Sequence, residues 1–115
     1  MLKRKNIIKI AIDSPAAAGA GTQAKLISKH YNLLQLDTGL IYRYIANIKI
    51  TEPKKFNYQY LKKKINNLKI SSLHNKNLLS DKVATIASII SKDKKIRKLV
   101  HTFQLKCAYN PPKKY

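Results

Sequence analysis

Residues 10–22 read Ile10-Ala11-Ile12-Asp13-Ser14-Pro15-Ala16-Ala17-Ala18-Gly19-Ala20-Gly21-Thr22, and the reading of this stretch decides the fold. The β-branched residues Ile7, Ile8, Ile10 and Ile12 predict a short buried strand over residues 7–13, with a turn signal directly after it. Residues 14–21 are small and contain Pro15, Gly19 and Gly21. A helix is expected over residues 22–30, with Ala24, Leu26 and Ile27 facing inward. A second short apolar run, residues 33–36, closes on Asp37-Thr38-Gly39. Strand, loop, helix and strand in this order are what a parallel α/β unit requires.

The chain has only three glycines, and all of them, Gly19, Gly21 and Gly39, fall in these two motifs. Glycine is costly unless special backbone angles or close approach are needed, so the concentration is informative. In a phosphate-binding loop, successive backbone N–H groups converge on phosphate oxygens, helped by the positive end of the next helix. The usual pattern is Gly-x-x-x-x-Gly-Lys followed by Ser or Thr. Here the register runs Ser14, Pro15, Ala16, Ala17, Ala18, Gly19, Ala20, Gly21, Thr22, with Ser14 in place of the first glycine and Ala20 in place of the lysine. Small residues leave the backbone cradle possible. The ammonium that would neutralise a transferred phosphoryl group is gone. Lys25 lies one turn beyond Thr22, more compatible with pointing away from the loop than with replacing that charge. Taken by itself, the loop is also compatible with a plain strand-to-helix turn.

Further along, a helix is expected over residues 40–48 with Ile41, Tyr44, Ile45 and Ile48 on one face, and residues 51–57, with Pro53, read as a loop. Residues 58–67 form an amphipathic helix with Leu61 and Ile65 inward. Residues 68–77 are ambiguous between a short strand and a turn. Ser80 is an N-cap for a helix through residue 91, with Val83, Ile86, Ala87 and Ile90 at helical spacing. A last helix, residues 93–107, carries Ile96, Leu99, Val100 and Phe103, and Pro111 ends it. Tyr31, Tyr42 and Tyr44 read as packing residues, and Tyr58 and Tyr60 as amphipathic surface.

A chain of 115 residues allows one compact domain. Its formal net charge is +19, yet only three of the 24 basic residues are arginine (Arg4, Arg43, Arg97). Arginine is the better group for bidentate recognition of bases and phosphates, and the lysines are spread along the chain apart from Lys62, Lys63 and Lys64. The charge is therefore read as compositional bias on solvated faces rather than a nucleic-acid surface. No apolar stretch is long enough to span a bilayer, and the N-terminal segment lacks the features of a signal peptide. A single cysteine, Cys107, offers no internal disulfide. A cytoplasmic protein is expected. His30, His74 and His101 show no metal-ligand spacing, so no protein metal site is expected; Asp13 is equally a strand-end cap or a group organising the loop.

The run from Ile10 to Thr22, followed by Leu36-Asp37-Thr38-Gly39 and Ile41-Tyr42-Arg43, resembles bacterial cytidylate kinase, in which a phosphate loop and one helix precede Leu-Asp-(Ser/Thr)-Gly-x-x-Tyr-Arg. Two motifs at the right separation are more specific than either alone. Val83, Ala87-Ser88, Ile96-Arg97 and Phe103-Gln104 are similar to the family's paired helices, whereas the likeness is weak over residues 51–78. The resemblance implies a P-loop NTPase-type α/β fold, a three-layer αβα arrangement with a parallel sheet. Two strands and about five helices would be present, with residues 1–115 its N-terminal part and residues 51–78 a reduced nucleotide-binding insert. It implies transfer of a phosphoryl group from ATP to CMP or dCMP with Mg²⁺, by a protein that is typically monomeric. Ser14 to Thr22 would hold the ATP phosphates. Thr38 and Arg43 would contact CMP, with Arg43 on its phosphate. Arg97 matches a family position near the acceptor, although the residue alone is equally compatible with a solvated surface.

Members of that family continue into a strand ending Asp-Gly-Arg-Asp and an arginine-bearing lid, and their sheet order sets a later strand between the first two. On this basis the chain is expected to be an N-terminal portion with little or no turnover of its own. The alternative is a non-enzymatic, lysine-rich module that binds nucleic acid or nucleotides through charge.

Overall fold

The computed structural model describes residues 20–31, 34 and 36–110. It divides into two compact units, residues 37–105 and residues 1–36 together with 106–115. Among the described residues the regular structure is helical. The strand expected over residues 7–13 lies outside them. Of the run 33–36 only Leu34 and Leu36 are described, and neither is in a strand.

In the unit of residues 37–105, helix α2 (Thr38–Thr51) forms the centre. Its N-cap is Asp37, whose carboxylate accepts from the Gly39 N–H at 2.9 Å. That bond satisfies one of the donors a helix start leaves open. Ile41, Ile45, Ala46 and Ile48 are buried and Tyr44 half-buried, the face the apolar spacing predicts. The helix runs three residues further than expected: Thr51 Oγ1 donates to the Asn47 carbonyl, and Glu52 N–H to Ile48. Pro53 then stops it, because the residue before a proline avoids helical angles, and Glu52 sits at φ −132°, ψ 55°.

Helix α3 (Tyr58–Asn66) is capped by Asn57, which accepts from the Tyr60 N–H at 2.8 Å, and buries Leu61 and Ile65. Residues 68–77 contain no strand. Two 3₁₀ turns, Ile70–His74 and Lys76–Leu79, occupy most of the span from 70 to 79 and bury Leu73 and Leu78. The reason is local: the Asn75 side chain accepts from the Asn77 N–H at 2.9 Å, an Asx turn that competes with extended backbone. Helix α4 (Asp81–Ile90) begins at Ser80, whose hydroxyl accepts from Val83 N–H at 3.2 Å, and buries Val83, Ala87 and Ile90. Helix α5 (Lys94–Tyr109) begins after Asp93, whose carboxylate accepts from the N–H groups of Lys95 and Ile96; Ile96, Leu99, Val100 and Phe103 are buried. The core of this unit is α2 packed on α4, with the two 3₁₀ turns against α2. No buried side-chain polar atom among the described residues lacks a partner.

In the other unit, helix α1 (Ala20–Tyr31) ends on Lys29 and His30, cations placed where the helix dipole favours them. Leu26, expected to face inward, is 63% exposed, and Tyr31, expected to pack, is 54% exposed. Ile27 is half-buried. Apolar spacing sets which side of a helix is apolar; it does not supply the surface that covers it.

Candidate functional site

The phosphate-loop positions divide at Gly19. Ser14, Pro15, Ala16, Ala17, Ala18 and Gly19 lie outside the described residues. Ala20, Gly21 and Thr22 form the first turn of α1, so a helix starts at the position where the motif has its lysine.

The second motif is described throughout. Asp37 ends the connection and caps α2; Thr38 is the first helical residue and half-buried. Gly39 follows where a Cβ would come within 3.1 Å of the Asp37 carboxylate, so the cap is tight against the helix start. Arg43 stands one turn further along. It is half-buried, and its Nη1 donates to the Leu78 carbonyl at 3.0 Å. Arg97 is exposed on α5. The structure thus gives Thr38 and Arg43 a common helix, α2, and carries Arg97 on a different one.

Two features were not legible in the sequence. The Arg43 partner is a main-chain oxygen 35 residues away, and no side-chain pattern announces a carbonyl. The other is a polar cluster beside α2. The Tyr60 hydroxyl donates to Glu52 Oε1 at 2.9 Å, and Lys64 Nζ lies 5.4 Å from the centre of the Tyr60 ring. Tyr44 borders this cluster. Burial pushes its phenol above the usual value near 10, the Lys64 ammonium opposes that, and Tyr60 and Glu52 add to it. In the other unit, burial raises the Cys107 thiol while Lys106 opposes it. Among the described residues, no three of His, Cys, Asp and Glu come together to hold a metal ion, and no helix is long and apolar enough to cross a membrane.

The arrangement on α2 can hold an anion's oxygens. A guanidinium presents its N–H groups in a plane that matches a phosphate or carboxylate. Thr38 adds a hydroxyl at the start of the same helix.

Comparison with known proteins gives the same direction. The family model described as "Cytidylate kinase" matches residues 10–112. Cytidylate kinase from Bradyrhizobium sp. (strain ORS 278) is 38% identical over 104 residues, which is 90% of this chain and 49% of that protein. Cytidylate kinase from Nitrobacter winogradskyi (strain ATCC 25391 / DSM 10237 / CIP 104748 / NCIMB 11846 / Nb-255) is 30% identical over 121 residues, again 90% of this chain and 49% of that one. A bifunctional pantoate ligase/cytidylate kinase from Prochlorococcus marinus (strain MIT 9301) is 36% identical over 124 residues, covering 92% of this chain and 24% of that protein. The chain spans about half the length of the curated cytidylate kinases it matches. No solved structure matches it.

Proposed function

Because the chain belongs to the cytidylate kinase family, we propose that its chemistry is transfer of the γ-phosphoryl group of ATP to CMP or dCMP, giving ADP and (d)CDP. An oxygen of the acceptor phosphate would form the new bond to the γ-phosphorus. The bond from phosphorus to the β,γ-bridging oxygen would break, its electron pair leaving with ADP. In such a reaction the protein acts mainly by positioning and by stabilising charge. Membership of the family implies a P-loop NTPase fold. The finer arrangement is part of the proposal: a three-layer αβα domain with strands near residues 7–13 and 33–36, and residues 51–78 as a reduced nucleotide-binding insert.

The observation that carries the reading is the second motif, where one capped helix carries both Thr38 and Arg43, with Arg43 half-buried and hydrogen-bonded. On the proposed roles, Ser14 to Thr22 embrace the ATP phosphates, and Thr38 and Arg43 hold the acceptor. Arg97 is a further acceptor contact. Mg²⁺ would come with ATP, chelated by the nucleotide's own phosphate oxygens, and would neutralise their charge during the transfer. The proposed protein is a cytoplasmic monomer that acts on nucleotides and not on nucleic acid.

Ala20 makes a further point testable. A P-loop lysine meets the β- and γ-phosphates, and no ammonium stands at that position here. The 115-residue chain should therefore show little or no CMP phosphorylation in a coupled ADP-release assay with Mg²⁺. Ala20→Lys should tighten MgATP binding. Robust turnover by the unsubstituted chain would overturn the first statement, and failure of CMP to bind either form would overturn the acceptor assignment.

A further inference from the structure

Arg43 is held at one corner only. Its Nη1 donates to the Leu78 carbonyl at 3.0 Å, the one hydrogen bond of this side chain among the described residues. Nη1 is the guanidinium nitrogen on the Cδ side. The opposite edge, Nε with Nη2, carries two parallel N–H bonds and is the edge that grips a phosphate with two hydrogen bonds.

The anchor is itself fixed. The Leu78 side chain is 1% exposed, and the 3₁₀ turn Lys76–Leu79 packs against both α2 and α4. Leu78 N–H donates to the Asn75 carbonyl at 3.1 Å, and the Asn75 side chain accepts from Asn77 N–H at 2.9 Å. Two residues on, Ser80 caps α4. A carbonyl held from both sides restrains the guanidinium that donates to it.

We infer that the Leu78 carbonyl is a positioning group for the acceptor phosphate: it orients Arg43 so that the Nε–Nη2 edge stands ready for a phosphate monoester. This rests on the reading of Arg43 as an acceptor-phosphate ligand. It adds that the segment 75–80, none of whose side chains is given a ligand contact in the proposal, sets acceptor affinity. A free arginine side chain loses rotamer freedom when it binds; one held beforehand has already lost it, so binding is tighter.

The test is nuclear magnetic resonance on the full 115-residue chain, whose three arginines give few guanidinium signals. The Nη1 protons of Arg43 should exchange with water more slowly than those of Arg4 and Arg97. Added CMP should shift the Arg43 Nε proton while Nη1 stays protected. Asn75→Ala, at an exposed position, should speed Nη1 exchange and weaken CMP binding about two- to tenfold with Arg43 unchanged. Arg43→Lys should weaken CMP binding further, because an ammonium lacks the planar pair of N–H donors that grips a phosphate while another corner is held. Nη1 exchange as fast as in the other arginines, with CMP still shifting Nε, overturns the positioning role and leaves the acceptor reading standing. Protected Nη1 with no response of Nε to CMP or to inorganic phosphate overturns the acceptor reading, and the inference with it.

Discussion

Helices α1 and α2 are of similar length, 12 and 14 residues, and both carry apolar residues at helical spacing, yet their surroundings differ. In α2, four apolar residues are buried, three of them completely, against α4 and the two 3₁₀ turns. In α1, none of the described side chains from Lys25 onward is buried. The same pattern therefore has two energetic meanings. In α2 each apolar side chain removes surface from water and contributes to stability; in α1 the described apolar side chains leave much of theirs exposed.

The largest expected effect tests this contrast directly. Ile45→Ala, at a position with no exposed surface, should destabilise the protein by about 2–5 kcal/mol through lost burial and the cavity left behind. Leu26→Ala in α1 should change stability by no more than about 0.5 kcal/mol. Urea unfolding followed by circular dichroism measures both. Equal losses would show that α1 is covered as fully as α2.

A smaller effect separates the two arginines of the helical region. Arg43→Met leaves the Leu78 carbonyl without its donor and should cost about 1–2 kcal/mol. Arg97→Met, at an exposed position, should stay within about 0.5 kcal/mol. The same denaturation series reads both, and a cost at Arg97 matching that at Arg43 would mean that exposure does not distinguish them. The cap comes next. Asp37→Ala removes the acceptor for Gly39 N–H and should cost about 1 kcal/mol, read as a lower melting temperature.

The smallest expected effect is on pH dependence, again confined to the surroundings of α2. The Tyr44 phenol is raised, chiefly by burial, so the folded state holds this proton more tightly than the unfolded chain. The contribution is complete below the ordinary tyrosine value and is lost as pH rises through the folded one. Lys64, raised by its hydrogen bond with Tyr60 and by that group's charge, acts in the same direction. Thermal stability should therefore fall more steeply above pH 10 in the unsubstituted protein than in Tyr44→Phe. An unchanged slope in the variant would assign the dependence to other groups.

Much of the helical architecture could be read from particular residues. Ser80 as an N-cap, the pair Leu61 and Ile65, and the set Ile96, Leu99, Val100 and Phe103 are all where their spacing places them. Capping and periodicity act over one or two turns, so a local reading reaches them. Residues 70–79 escaped it, because Ile70, Leu73 and Leu78 carry no clear period and the Asn75 turn determines the backbone. The exposure of Leu26 escaped it for a different reason, since burial depends on what lies opposite. Of the candidate site, the identity and spacing of Asp37, Thr38, Gly39 and Arg43 were legible, along with the family they point to. The roles proposed for the loop at residues 14–19 rest on sequence alone.

By itself the sequence determined a helix over residues 40–48 that carries Arg43, because apolar residues at Ile41, Ile45 and Ile48 are a local, repeating signal. The structure extends that helix back to Thr38 behind a cap at Asp37. The sequence also determined that Ala20 stands where a phosphate loop has its lysine. Only the tertiary structure decided which way Arg43 is held. Its partner is the Leu78 carbonyl, a group every residue possesses, and only folding brings that one within 3.0 Å.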